Sequence, residues 1–376
     1  MQGNPWLATG SARVILNEVN STNPSQLNGW IEVAGNRAQV ITANPAGITC
    51  DRCGFINTPQ ATLTTGTPVL SRGNLDSYRV QGGQVQIEGL GLDGRQADAV
   101  TILTRSAEIN AGLWAKRVNI VTGTNDVTVD ANGQPTKIAP IIISPFPQNF
   151  SLSTAGSQTK DNTAPVFALD VGYLGGMYAG HIFLVGSEHG LGVRDNGTLQ
   201  AAQQLTLDSN GILSVKGKVK APELAIKTEG AVDNSGVITA QRSATINTNS
   251  TLTNTGTIAS QQTLSITAQR LTNSDVSSTT DNSNSNSTST STTASGLIDG
   301  QTVLINSPRI ENIGDARIYG DHLALQADTL INAGQTINGV SRSPVIAARQ
   351  DLAQCAWPRW CRDAPCRCRG STAWCS

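Results

Sequence analysis

The sequence predicts an all-β protein, specifically a right-handed parallel β-helix (β-solenoid) with extra-helical loops. Three observations predict it: few bulky side chains, many short β-rich runs, and an asparagine that recurs at a nearly constant interval. Aromatic residues make up only 4% of the 376-residue chain and charged residues 14%, yet 38% of the chain is hydrophobic. Such a chain can fill a narrow apolar interior but not the wide core of a typical α/β enzyme.

Short runs rich in β-branched residues dominate the chain, and Gly or Asn separates them. Examples are residues 84–87, 100–103, 117–121 and 181–185. Apolar residues rarely recur at the three-and-four spacing of an amphipathic helix. We therefore expect many short strands and almost no helix.

A repeat in the second half of the chain favours a solenoid over a sandwich or a barrel. An asparagine recurs at intervals of 20, 19, 39 and 20 residues, at Asn234, Asn254, Asn273, Asn312 and Asn332. Asparagine tolerates the left-handed backbone angles of a turn, and asparagine amides stacked coil on coil can hydrogen-bond as a ladder. We therefore place these five residues at one corner of successive coils, each of which contacts only its neighbours.

The interval of 39 residues counts as two periods and contains an unusual tract. In residues 277–295 every residue except Asp281 and Ala294 is Ser, Thr or Asn. Such a tract has almost no apolar side chain to bury. It is predicted either as a loop extruded from one coil or as a degenerate coil.

Charge and hydropathy exclude two classes of protein. A formal net charge of -1 argues against a nucleic-acid partner, since such proteins need a basic face. The longest strongly apolar stretch, residues 138–143, is far shorter than the roughly 20 residues that span a bilayer. The opening residues 1–7 lack the basic and apolar regions of a secretory signal, so we expect that the chain as encoded is not exported.

Two Asn-Pro motifs mark the N-terminal part, Asn4-Pro5-Trp6-Leu7 and Asn44-Pro45-Ala46-Gly47-Ile48. Together with residues 17–57 and 170–199, they resemble the secretion domain of the filamentous haemagglutinin family, which uses two-partner secretion. That family includes the stalks of contact-dependent growth-inhibition toxins, and its motifs are Asn-Pro-Asn-Leu and Asn-Pro-Asn-Gly-Ile. The chain departs from both at the third position, where it has Trp6 and Ala46.

The resemblance implies a fragment of a secreted surface adhesin or toxin stalk, with no catalytic site and no cofactor. It implies an outer-membrane barrel transporter that recognises the secretion domain in the periplasm, and a receptor on a host or neighbouring cell for the intact relative. We predict four regions: residues 1–130 as the latter part of the secretion domain, 131–164 as a loop or linker, 165–353 as the early stalk, and 354–376 as an aberrant tail.

Cys50-x-x-Cys53 leaves four alternatives open: a redox pair, half a zinc site, a short-loop disulfide, or two free thiols. Residues 54–59 read as strand and turn rather than the helix that a thioredoxin-like site needs, and no second ligand pair lies nearby in sequence. An oxidising periplasm favours the structural disulfide.

The tail contains five cysteines, three tryptophans and four arginines after residue 354. This mixture is foreign to the preceding repeats, so a shifted reading frame explains it better than a membrane-binding segment or a disulfide knob. Two rival functions remain: a nonfunctional gene remnant and a β-helix polysaccharide lyase or hydrolase. The second would need Asp, Arg or Lys clustered on one face, and the low charge of the chain disfavours it.

Overall fold

The computed structural model describes residues 10–71, 74–141, 167–275, 295–337 and 340–355. In these ranges every regular element is a β-strand, which confirms the all-β prediction. None of the described residues belongs to a helix long and apolar enough to cross a membrane. The motif Asn4–Leu7, the tract 277–294 and the tail 356–376 lie outside the described residues.

The first part of the chain forms ten solenoid strands in three-sided coils. They are β1 (Val14–Glu18), β2 (Ser25–Leu27), β3 (Trp30–Glu32), β4 (Gln39–Ala43), β5 (Ile48–Ile56), β6 (Gln60–Thr64), β9 (Gln84–Gly94), β10 (Ala99–Thr104), β11 (Ser106–Ile109) and β12 (Gly112–Thr122). Side chains alternate between buried and more exposed positions at the start of β9 and β12, whereas every residue of β6 and β10 is buried.

The second part continues the same sheet with sixteen further strands. They are β15 (Phe167–Val171), β16 (Gly176–Gly186), β17 (Gly192–Asp195), β18 (Thr198–Ser209), β19 (Leu213–Val215), β20 (Lys218–Thr228), β21 (Val232–Asn234), β22 (Val237–Thr248), β23 (Thr251–Asn254), β24 (Thr257–Thr267), β25 (Arg270–Ser274), β26 (Leu297–Asn306), β27 (Arg309–Ile313), β28 (Arg317–Gln326), β29 (Thr329–Ala333) and β32 (Val345–Cys355).

Six strands stand outside the coils. Four of them form an antiparallel sheet that packs on the first part, and the other two form an antiparallel pair in the second part. Their ranges are β7 (Thr67–Ser71), β8 (Asn74–Val80), β13 (Asn125–Val129), β14 (Pro135–Pro140), β30 (Gln335–Ile337) and β31 (Val340–Arg342). Strand β14 thus lies within residues 131–164, which the sequence predicted as a loop or linker.

All pairings between solenoid strands are parallel, and each coil aligns in register with the one before it. Strand β11 pairs with β15, so the coils continue directly from the predicted secretion domain into the predicted stalk. This large parallel sheet confirms the β-solenoid prediction. The domain boundary near residue 130 stays a prediction.

One narrow apolar core fills the interior from Val33 to Ile346. Leu, Ile, Val and Ala provide almost all of it, since each coil offers only a few inward positions. A second, smaller core lies outside the coils, where Tyr78 and Val127 of the antiparallel sheet pack against Ile41 and Leu103. This contact holds the antiparallel sheet against one side of the solenoid.

The interval of 39 residues between Asn273 and Asn312 contains one coil, because β25 pairs directly with β27 in register. The chain leaves the coil after Asp275 and rejoins it at Ser295, and these two residues form an isolated antiparallel bridge. The interval therefore corresponds to one coil step between described strands, and the prediction that it counts as two periods is wrong.

Candidate functional site

The second Asn-Pro motif forms a tight turn between β4 and β5. The Asn44 side chain is fully buried. Its Nδ2 donates to the carbonyl oxygen of Asn23 at 2.9 Å and to Ser25 Oγ at 2.8 Å, both in the preceding coil. Its Oδ1 accepts the backbone N–H of Ala46 at 2.9 Å. The amide thus fixes the shape of its own turn and ties it to the coil before.

The backbone of the same turn reaches the coil that follows. The Asn44 N–H donates to the carbonyl oxygen of Thr64 at 2.9 Å, and the Gly47 N–H closes the turn on the Asn44 carbonyl at 3.0 Å. Gly47 has φ +123°, and a Cβ there would lie 3.2 Å from the Gln84 carbonyl oxygen. A side chain at this position is therefore strained, and the motif requires glycine. Asn44 links three successive coils.

The departure of the motif at Ala46 has a structural explanation. Ala46 contributes its backbone N–H to the turn, and any residue other than proline supplies that group. Pro45 is exposed and Ala46 half-buried, whereas Asn44, Gly47 and Ile48 are buried. The three buried positions match the family motif, and two of them, Asn44 and Gly47, set the backbone geometry of the turn.

Cys50 and Cys53 form a disulfide within β5, with their Cα atoms 5.5 Å apart. Both residues are buried, and the strand shifts register between Asp51 and Cys53 as it passes a corner. Arg52 adopts the left-handed conformation there, with φ 55°. Asp51 Oδ1 accepts the N–H of Leu90 from the next coil at 2.9 Å. Among the described residues, no group of three or more His, Cys, Asp or Glu could hold a metal ion.

Cys50 belongs to an inward column at one corner that continues through the described coils. We call this set of residues the corner column. Its members, in register from coil to coil, are Leu27, Cys50, Ile87, Ile109, Val171, Asp195, Val215, Asn234, Asn254, Asn273, Asn312 and Asn332. The first members are apolar, and the last five are the repeat asparagines.

The five asparagines hydrogen-bond to one another in a chain along the solenoid axis. Each Nδ2 donates to the next Oδ1 at 2.7–2.9 Å, in the order 234, 254, 273, 312 and 332. Each Nδ2 of the first four also donates to a backbone carbonyl in a following coil, such as Leu297 for Asn254 at 3.1 Å. The ladder therefore pairs the buried amides with one another and with the corner backbone, except for Asn234 Oδ1, which begins the ladder and has no hydrogen-bond partner among the described residues.

Replacing Asn254 with Ala should destabilise the solenoid by about 3 kcal/mol. The change leaves the Asn234 amide without its acceptor and Asn273 Oδ1 without its donor, and each buried unpaired group costs about 1–3 kcal/mol. Urea unfolding of wild type and variant measures the difference. Asn247→Ala, at an exposed strand position, is the matched control and should change stability little. Equal effects of the two substitutions would contradict a special role for the ladder.

Asp195 occupies the corner column two coils before Asn234, between Val171 and Val215. Its Oδ1 accepts the Gly197 N–H at 3.1 Å, but its buried Oδ2 has no hydrogen-bond partner. Burial raises the pKa of this carboxyl to about 7, and the Gly197 hydrogen bond lowers the pKa only partly in return. Sequence reasoning missed this residue, although Asp195-Asn196-Gly197 lies two periods before Asn234 and resembles its Asn-Ser-Gly.

Comparison with known proteins shows which family the N-terminal part of the chain resembles. A family model described as the TPS secretion domain matches residues 6–220. A solved structure, the filamentous hemagglutinin secretion domain, superposes with a TM-score of 0.51 at 29% identity, over 62% of this chain and 75% of that chain.

Two curated relatives show the degree of similarity. "Toxin CdiA" of Yersinia pestis is 47% identical over 239 residues, which is 63% of this chain and 7% of the relative. "16S rRNA endonuclease CdiA" of Enterobacter cloacae is 46% identical over 219 residues, which is 57% of this chain and 6% of the relative. The matched region is thus a small part of these relatives' length.

Proposed function

The chain belongs to the TPS, or two-partner secretion, secretion-domain family, and on this basis we propose that its N-terminal coils are the export signal read by an outer-membrane barrel transporter in the periplasm. The observation that carries the proposal is the family match over residues 6–220, which includes the Asn44 turn. Asn44 and Gly47 fix the turn, and Pro45 is the exposed residue at its tip. A rigid exposed turn is a suitable feature for recognition by a transporter.

The solenoid itself suits export of an unfolded chain. Every described coil pairs only with the coils before and after it, so each new coil can form on the edge of the last one. A chain that emerges N-terminus first can therefore fold progressively outside the cell. The early coils, fixed by the Asn44 turn and the Cys50–Cys53 disulfide, are the template on which the remaining coils assemble.

The role of the longer protein follows from its relatives. Curated relatives are named as toxins and as RNA-cleaving enzymes, and the matched region covers only 6–7% of their length. We therefore infer that this chain represents the non-catalytic, exported base of an adhesin or of a contact-dependent growth-inhibition toxin. Receptor binding or toxicity, in an intact relative, belongs to regions beyond this similarity. A nonfunctional gene remnant is the second candidate, and it predicts no export.

Export is tested by attaching a cleavable secretion signal to the chain and expressing it with and without a matching barrel transporter. We expect the chain in the culture medium or on the cell surface only when the transporter is present, and in the periplasm otherwise. A periplasmic enzyme behind the same signal is the control for cell lysis. Retention in the periplasm despite a transporter that exports its own natural partner would contradict the proposal.

A further inference from the structure

One solenoid side carries two aromatic rings that lie flat on the sheet. Trp114 and Tyr178 are adjacent in register on β12 and β16. A side chain on Gly112 would overlap the Trp114 indole, and a Cβ on Gly176 would lie 2.9 Å from the Tyr178 ring, so each ring covers a glycine of its own strand. The ring centroids are 6.1 Å apart and the planes differ by 13°. Both side chains are half-buried and present one open face.

The two columns of register neighbours that contain Tyr178 and Gly176 each hold a lysine two coils further on. In register, Tyr178 is followed by Gln200 and Lys220, and Gly176 is followed by Thr198 and Lys218. Both lysines are exposed, and neither forms an ion pair within the described chain, although many other basic residues there do. Strands lie about 4.8 Å apart, so the lysines stand about 10 Å from the Tyr178 strand along the axis.

The opposite end of the aromatic pair has a different charge. Asp93 precedes Trp114 in register, and its carboxylate is ion-paired with Arg95. A ligand with a negative group is therefore favoured at the lysine end and not at the Asp93 end. Along the solenoid axis the surface therefore presents, in order, an ion-paired carboxylate, two flat aromatic rings, two uncharged polar residues and two lysines without an ion pair among the described residues.

We propose that this surface, formed by Trp114, Tyr178, Thr198, Gln200, Lys218 and Lys220, binds an acidic polysaccharide along the solenoid axis. The C–H groups on the face of a pyranose ring carry partial positive charge and stack on the negative face of an aromatic ring. Thr198 and Gln200 offer hydroxyl and amide groups to sugar hydroxyls. Lys218 and Lys220 supply the charge that complements a carboxylate further along the same chain.

The proposal goes beyond export and does not depend on it, because binding is measured on the purified chain. It concerns a sugar-binding surface on the exported solenoid and assigns no catalysis to it. The probe is a galacturonic acid hexamer, and its fully methyl-esterified form is the matched neutral ligand. Isothermal titration should show binding of the acid at low salt, weakening as salt screens the lysines.

Two classes of variant separate stacking from charge. Trp114→Ala should weaken binding of the acidic hexamer about tenfold, and Tyr178→Leu is a second variant that keeps an apolar side chain on the strand. Lys218→Gln with Lys220→Gln should reduce binding of the acid to the level of the neutral ester. Tyr319→Ala, in the same column six coils from Tyr178, and Lys227→Gln, on another side, are controls that should bind normally.

Several results would overturn the proposal. One is equal affinity for the acidic and the esterified hexamer, and another is unchanged affinity in both aromatic variants when circular dichroism shows them folded. Binding to vesicles of anionic lipid without binding to the hexamer would assign the surface to membranes. Loss of export in Trp114→Ala, together with no hexamer binding by wild type, would assign it to the transporter. Export with normal yield but no hexamer binding would leave the secretion proposal intact and refute this one.

Discussion

Replacing Asn44 with Ala is expected to lower export by at least about tenfold and to destabilise the first coils by about 3 kcal/mol. The substitution removes two hydrogen bonds to the preceding coil and one within the turn. It leaves the Asn23 carbonyl, the Ser25 hydroxyl and the Ala46 N–H without their present partner, and these three hydrogen bonds are all partly buried. Export measured with the transporter, and urea unfolding of the purified chain, report the two effects separately.

Asn44→Asp refines this test because it changes the chemistry at nearly constant shape. Aspartate keeps the acceptor for the Ala46 N–H, but it cannot donate, and its charge faces the Asn23 carbonyl oxygen. We therefore expect it to be no better than alanine. Asn36→Ala is the control, since Asn36 is exposed and its amide reaches only Ser11 Oγ. Normal export by Asn44→Ala would remove the Asn44 turn from the secretion mechanism.

Pro45→Ala distinguishes recognition from stability. Pro45 is exposed and its side chain takes no part in the hydrogen bonds of the turn, so the variant should melt close to the wild-type temperature. If the transporter reads the surface of the turn, export should fall while stability does not. If only the folded coils matter, both should stay normal.

Sequence reasoning predicts the solenoid well because its coils repeat in register. The five asparagines recur at nearly one coil length, and the structure places them in one column with bonds from each amide to the next. Composition supports the same fold, since a narrow core needs few aromatic side chains. Where the chain obeys the period, each position in one coil indicates the same position in the next.

The parts that escape prediction depend on pairings that no period encodes. Strand β8 pairs with β13, and β13 with β14, so the antiparallel sheet joins segments separated by two coils. Trp114 and Tyr178 are far apart in sequence but adjacent in register, because a long insertion separates consecutive coils. The interval of 39 residues misleads for the same reason, since Asn273 and Asn312 are neighbours in register although they are about two periods apart in sequence.

Asp195 illustrates how one departure from a repeat creates an energetic cost. In later coils the same column holds asparagine, whose neutral amide finds another amide above or below. Asp195 has Val171 and Val215 as its neighbours in register, and neither side chain can hydrogen-bond to the carboxyl. A buried carboxylate without a countercharge is unfavourable, and the pKa rises so that the neutral acid is preferred.

Asp195→Asn is therefore expected to stabilise the solenoid at pH 8 by on the order of 4 kcal/mol. The folded carboxyl has a pKa of about 7, above the value of about 3.9 in the unfolded chain. Wild type therefore loses stability as the pH rises from about 4 to 7, because the unfolded chain releases the proton first, and the loss is constant above that range. The asparagine carries no charge and keeps the acceptor for the Gly197 N–H.

Urea unfolding of wild type and Asp195→Asn between pH 4 and pH 8 measures this dependence. The two stability curves should lie close together near pH 4 and separate steadily up to about pH 7. Asp208→Asn is the control: that carboxylate is partly exposed, 3.8 Å from Lys227, and its replacement should change stability by less than about 1 kcal/mol. A constant difference between Asp195→Asn and wild type across this range would show that Asp195 is already charged in the folded state at pH 4, because only a change in its protonation makes the two curves diverge.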